Sequence, residues 1–232
     1  MTFCLTIAGF DPTAGAGILA DFETFRALSM QPQAVITAIT AQNHKRVLAI
    51  EALSPRLIAE QFNALEKPAS VKIGILANAA VVRKVAALLD RLGKVPVVLD
   101  PVLWASTGRA LLEPKGIPVL KKTLLPRATV ITPNRKEAEK LLGRKIRDLE
   151  HAALDLLALG PQAVVITGGA LFDVLADSRG VKIIKGKRVR GTVRGTGCRY
   201  SSALAVYLAK GRSIREAAKR AQEYVGRYIE SS

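Results

Sequence analysis

The sequence predicts a three-layer α/β/α fold built on a mainly parallel central sheet, with a small antiparallel hairpin at one edge. Three observations predict it. Short apolar, β-branched runs alternate with helix-length segments from Phe3 to Thr167. Runs without polar alternation suit strands covered by helices on both faces. After Gly169 the pattern changes to two short runs, Leu171–Ala176 and Val181–Ile184, joined by Asp177-Ser178-Arg179-Gly180, which reads as a hairpin. The 232 residues are 49% apolar, enough for one substantial core, and no linker or repeat interrupts them, so 1–232 is read as a single domain.

Each element has a local reason. Phe3–Ala8 is the first strand, and Ala16–Leu28 a helix with Ile18, Leu19, Phe22, Phe25 and Ala27 available for burial. Ala34–Ala41 is the second strand. Ser54 caps and Pro55 starts a helix running to about Lys67. Strands Val71–Leu76 and Val95–Leu99 flank an amphipathic helix, Ala79–Leu92, ended by Gly93. Ala128–Thr132 (strand), Arg135–Leu142 and Leu149–Leu159 (helices) and Ala163–Thr167 (strand) continue the alternation. A second turn at Lys185-Gly186-Lys187 leads toward Thr192. Then Arg194-Gly195-Thr196-Gly197 runs into an Ala-rich helix from about Cys198. Ser213-Ile214-Arg215-Glu216 has the capping-box pattern of a last helix reaching about Ile229.

Composition excludes several classes. Cys4 and Cys198 are the only cysteines, which rules out a disulfide framework and fits a reducing cytosol. With His44 and His151 they cannot assemble a zinc cluster. The first residues lack a basic leader, and no run of about 18 residues is continuously apolar, so neither a signal peptide nor a membrane span is expected. The net charge of +16 is the outlier, densest from Arg179 to Arg199, with eight Lys or Arg and no acid. Such a stretch attracts phosphates, whether of nucleic acid or of small polyanions. No aromatic residue interleaves before Tyr200, so a solvated basic surface is favoured and nucleic acid is not the expected partner.

Functional groups in a parallel sheet collect at the carboxyl ends of its strands. That rule brings Gly9-Phe10-Asp11, Gln42-Asn43, Gly74-Ile75-Leu76, Asp100-Pro101, Thr132-Pro133-Asn134 and Thr167-Gly168-Gly169 to one edge. Turn-forming explains most of these residues, but not Gln42. Gly15-Ala16-Gly17-Ile18-Leu19-Ala20 has the spacing of a dinucleotide fingerprint. It starts too far from the first strand, and strand two ends without an acid, so hydride transfer is not expected. No G-x-x-x-x-G-K-[ST] loop occurs. The turn at Gly195–Gly197 is more telling. The first N–H groups of a helix are unpaired and carry partial positive charge, so they can cradle an anion. Cys198 sits in the same field, which favours thiolate. A glycine turn with a buried cysteine opening a core helix explains this stretch equally well. Asp100 and Glu137 can hold a hydrated Mg²⁺ through two carboxylates; Glu137 is also explained by the helix dipole.

The ordered set Ile7–Asp21, Val35–Asn43, Lys72–Leu76, Val98–Val102, Ile131–Asn134 with Glu137, and Gly195–Cys198 resembles the ribokinase superfamily. Within it, the chain looks like the hydroxymethylpyrimidine and phosphomethylpyrimidine kinases of thiamine biosynthesis, over nearly its whole length. That resemblance implies a ribokinase-like, ATP- and Mg²⁺-dependent kinase of a pyrimidine alcohol or its monophosphate, cytoplasmic and homodimeric. It implies that Asp21 and Gln42 hydrogen-bond the pyrimidine edge, that Gly9 offers main chain, and that Leu76 and Val102 pack near the ring. Gly195, Thr196 and Gly197 would form the anion hole, with Cys198 as general base. Asn134 and Glu137, with Asp100 nearby, would organise Mg²⁺ and the nucleotide phosphates, and Thr167 and Gly169 would line the nucleotide side. Thr167-Gly168-Gly169-Ala170 departs from the family's Lys-Gly-Gly-His, and Arg194 replaces a common His. Arg109, Arg194 or Arg199 is expected to supply the lost charge. Two alternatives remain: a pyridoxal kinase on the same scaffold, and a basic nucleic-acid-binding protein on an inactive one.

Overall fold

Apolar strand residues that alternate in direction need cover on both faces of a sheet, and the computed structural model supplies it. It describes residues 1–43, 45–168, 172–186 and 193–231. In chain order the elements are β1 (Phe3–Phe10), α1 (Gly17–Ala27), β2 (Gln31–Gln42), β3 (Val47–Ala52), α2 (Pro55–Asn63) and β4 (Ser70–Ile73). There follow α3 (Ala79–Leu89), β5 (Val97–Leu99), α4 (Gly116–Thr123), β6 (Val130–Ile131), α5 (Arg135–Leu142), α6 (Leu149–Leu157) and β7 (Ala163–Thr167). The chain closes with β8 (Phe172–Asp177), β9 (Gly180–Lys185), α7 (Thr196–Ala209) and α8 (Ile214–Glu230).

The strands form one sheet in the order β3-β2-β1-β4-β5-β6-β7-β8-β9. From β2 to β7 all neighbours are parallel; β3 and the β8–β9 hairpin are antiparallel. On one face Ile7, Ile73, Leu99, Ile131 and Val164 pack with α2 to α6. On the other, Val98, Val130, Val165 and Leu175 pack with α7 and α8, and Phe25 of α1 meets Val206 of α7. Adjacent residues Val98 and Leu99 thus belong to different layers, as a period of two demands.

Several elements differ from the sequence expectation. The second strand runs from Gln31 to Gln42 and pairs with β3, a strand the apolar pattern did not show. β3 is an edge strand with Leu48 exposed, so its hydropathy carries no clean alternation. α4 was also missed: it opens on Gly116 without a capping side chain and contains Pro118, so packing rather than propensity forms it. An added β-carbon at Gly116 would lie 2.6 Å from Leu112 Cδ1. β4, β5 and β6 are shorter than their apolar runs: β4 stops at Ile73, β5 starts at Val97 and β6 spans only Val130–Ile131. The hairpin is present from Phe172; Leu171 and the expected turn toward Thr192 fall on or into residues outside those described. No described helix is long and apolar enough to cross a membrane.

Candidate active site

Parallel pairing puts every strand end from β2 to β7 on the same edge, and backbone bonds extend the ladder past those ends. Gly74 N donates to Ile7 O, Asp100 N to Ile73 O, Thr132 N to Leu99 O and Thr167 N to Pro133 O, all between 2.9 and 3.0 Å. The candidate residues are therefore spaced by strand separations, about 4.8 Å each. Gln42 marks one end of the row, Asn134 and Thr167 the other, and Asp100 lies between. α7 packs over β1, β4 and β5, so its N-terminus opens above the middle.

That N-terminus is held by a close backbone contact. Gly195 caps α7 with φ 78°, and a β-carbon there would fall 2.0 Å from Gly15 O. The two glycine turns touch with no room for a side chain. Gly17 is equally constrained, with φ +61° and a β-carbon position 2.4 Å from Gly9 O. Its N–H is among the groups that pull the Cys198 thiol down, so the starts of α1 and α7 converge on one sulfur. Gly197 is exposed and has open space around it, as an anion cradle requires.

Beneath this mouth lies a sealed polar cluster. Asp21 is fully buried and accepts from Thr6 Oγ1 (2.6 Å), Ser202 Oγ (2.7 Å) and Lys72 Nζ, which lies 2.9 Å from both of its oxygens. Lys72 is also fully buried. Burial alone would lower its pKa, but the charges of Asp21, Cys198 and Asp100 overcome this and raise it. Ser201, next to Ser202 on α7, places its hydroxyl 3.3 Å from Asp100 Oδ2 and 3.0 Å from Gly197 O and Cys198 O. Asp21 therefore presents no free lone pair to a ring edge in this arrangement, whereas the resemblance made it a ligand contact.

Cys198, half-buried at the start of α7, also departs from expectation. Burial, joined by the charges of Asp21 and Asp100, pushes its thiol up to about 11 against the pull of Lys72 and the Gly17 N–H. The helix field thus loses to desolvation, and the group is a thiol rather than a thiolate at neutral pH.

Asn134 caps α5: its side chain accepts from Glu137 N and Glu137 Oε2 accepts from Asn134 N, both at 3.0 Å. Glu137 also lies 3.4 Å from Leu103 N. Its carboxyl is raised, mainly by burial and then by the charge of Asp100. Asp100 is raised by burial too, with Asp21 adding to the shift and Lys72 and Ser201 opposing it. Two buried carboxyls that repel one another are what a divalent cation relieves. Thr132, 4% exposed at the neighbouring strand end, has an Oγ1 with no hydrogen-bond partner. That donor set fits a hydrated Mg²⁺, which Asp100 and Glu137 would hold.

The remaining expectations divide. Gly9 is buried at the β1 bulge, Leu76 is 2% exposed within the core, and Val102 is half-buried. Gln42 is half-buried and Thr167 pairs with Asn134 across the β6–β7 ends. Gly169 lies outside the described residues. Of the three arginines, Arg109 is tied to Val47 O and Leu48 O on β3, and Arg199 to Glu23 and the Tyr228 ring. Arg194 alone reaches the strand ends, at Gln42 and not near Thr167, so none of them replaces a cation on the nucleotide side. Thr132 is among the strand ends named from sequence, whereas Lys72, Ser201 and Ser202 carry no role in that reading. A lysine inside the apolar strand Ser70-Val71-Lys72-Ile73 was the available signal, since a buried lysine needs a partner.

Residues 11–232 match the phosphomethylpyrimidine kinase family. A hydroxymethylpyrimidine/phosphomethylpyrimidine kinase of Aquifex aeolicus is 36% identical over 98% of this chain and 94% of its own. The thiamine biosynthesis bifunctional protein ThiED of Geobacter sulfurreducens is 38% identical over 95% of this chain, which spans 48% of that longer protein. Among solved structures, a phosphomethylpyrimidine kinase from Clostridium difficile 630 superposes with a TM-score of 0.86 at 36% identity, covering 99% of this chain and 100% of that one. A Staphylococcus aureus pyridoxal kinase in complex with AMP-PCP gives 0.87 at 30% identity, covering 97% and 86%.

Proposed function

Because the chain belongs to the phosphomethylpyrimidine kinase family, we propose that it transfers the terminal phosphoryl group of ATP to 4-amino-5-hydroxymethyl-2-methylpyrimidine phosphate, and to the free alcohol, in thiamine biosynthesis. The observation that carries this reading is the α7 mouth, with Gly195 locked against Gly15 and Cys198 beside the Gly17 N–H, opening next to the raised carboxyls of Asp100 and Glu137.

Phosphoryl transfer asks mainly for positioning and charge stabilisation. The amides of Gly195, Thr196 and Gly197 receive the migrating group, and Asn134 and Thr167 hold the nucleotide end of the row, the end to which the resemblance also assigns Gly169. Gln42 faces the ring at the other end, Gly9 lends main chain, and Leu76 and Val102 form the wall. Asp21 acts through Lys72 and Ser202. A bound Mg²⁺ would neutralise phosphate charge at Asp100 and Glu137.

The two acceptors differ in their demand for a base. A phosphate monoester has its second pKa near about 6 and attacks as a dianion at neutral pH. An alcohol must lose its proton, and Cys198 in its thiolate form would take it. The family resemblance also supports a cytoplasmic homodimer, which sedimentation would check.

The test is ATP consumption with the pyrimidine alcohol, its monophosphate and pyridoxal in parallel. Turnover is expected with the pyrimidines, and preference for pyridoxal would overturn the reading.

A further inference from the structure

At the substrate end one cation gathers partners from separate segments. Arg194 leaves the chain one residue before Gly195 and lies over the Gly15 turn, where an added β-carbon would sit 3.4 Å from its Cδ. Its Nη2 donates to Gln42 Oε1 at 2.7 Å and stands 3.3 Å from Asp11 Oδ2. Its Nη1 is 3.4 Å from Thr13 Oγ1 and from Asn43 O. Asp11 is 1% exposed; Thr13 holds its Oδ1 through amide and hydroxyl, and no hydrogen bond reaches its Oδ2 among the described residues. The Arg194 charge compensates that oxygen and so anchors the guanidinium.

A guanidinium only donates. Gln42 must therefore turn its carbonyl to Arg194, which sends its –NH₂ the other way. We propose that Arg194 is a positioning residue for ring recognition: it locks the Gln42 amide as a hydrogen-bond donor, so the site prefers heterocycles presenting a ring-nitrogen acceptor at that edge. This deepens the kinase reading and rests on it. An unclamped amide could present either end, whereas a fixed donor left unpaired penalises a ring that lacks the acceptor.

Two measurements test the clamp. Melting temperatures of Arg194→Met, Gln42→Met and the double variant need no substrate; the double variant should lose less than the sum of the singles. Turnover is then compared between the pyrimidine monophosphate and a deaza analogue with C–H in place of the ring nitrogen. The wild type's preference for the nitrogen ring should shrink about tenfold in Arg194→Met, chiefly through KM, and return in part in Arg194→Lys. Additive melting losses, or an unchanged preference, would overturn the proposal. So would a loss confined to the monophosphate that spares the alcohol, which would put Arg194 on the substrate's phosphate instead. Should the wild type turn over neither pyrimidine, the kinase reading fails while the melting cycle still decides the clamp.

Discussion

Asp21–Lys72 and Asp177–Arg215 are acid–base pairs of similar length, 2.9 and 2.7 Å, set in opposite surroundings. Both side chains of the first are sealed from solvent; in the second Arg215 keeps 20% of its side chain exposed and ties the hairpin to α8. The edge pair is simple: the Arg215 hydrogen bonds hold the Asp177 carboxyl down to about 2. In the sealed cluster Lys72 answers to Asp21, Cys198 and Asp100 together. Burying charges costs several kcal/mol per ion, and a well-packed apolar pair is often as stable. The sealed pair is therefore poorly explained by stability alone, and its place under the α7 mouth fits a fixed field for a reaction that moves negative charge.

The comparison is broken most forcefully at Lys72. Lys72→Met strands Asp21 as a buried charge and should cost about 3–5 kcal/mol, read by thermal unfolding. Pairing it with Asp21→Asn should recover much of that stability but not turnover. If turnover also returns, the cluster is only packing. Next is Gly195→Ala, whose β-carbon has no room beside Gly15 O. Distorting the amide cradle should lower kcat about 10²–10³-fold, with unfolding measured alongside.

Cys198→Ala sharpens the role of the acids around the sulfur. Alcohol turnover should fall about 10²-fold or more, while the monophosphate, already ionised, loses much less; equal losses would remove Cys198 as the base. Since burial holds the thiol near about 11, the active thiolate grows as pH rises. Wild-type alcohol turnover should therefore climb above neutral pH, and the variant should lack that climb.

The smallest effect belongs to the edge. Asp177 has a folded pKa below its ordinary 3.8, so its contribution is present above that value and lost as pH falls toward about 2. Asp177→Asn should lower the melting temperature slightly at neutral pH and flatten this acid loss, with turnover intact.

The sequence by itself determined the alternation of strands and helices, the β8–β9 hairpin, the Ser213 cap of the last helix and the row of polar strand ends. Each is written in spacing of two or 3.6, or in a side chain acting on its own backbone within three residues. Only the tertiary structure decided β3, α4 and the ionisation of the site. Gly15 meets Gly195 across 180 residues, and Lys72 meets Asp21 across 51. No local pattern could show that the cysteine at a helix start would be a thiol, because desolvation and the acids around it come from other elements of the fold. Charge in a protein interior is set by what the fold brings near it.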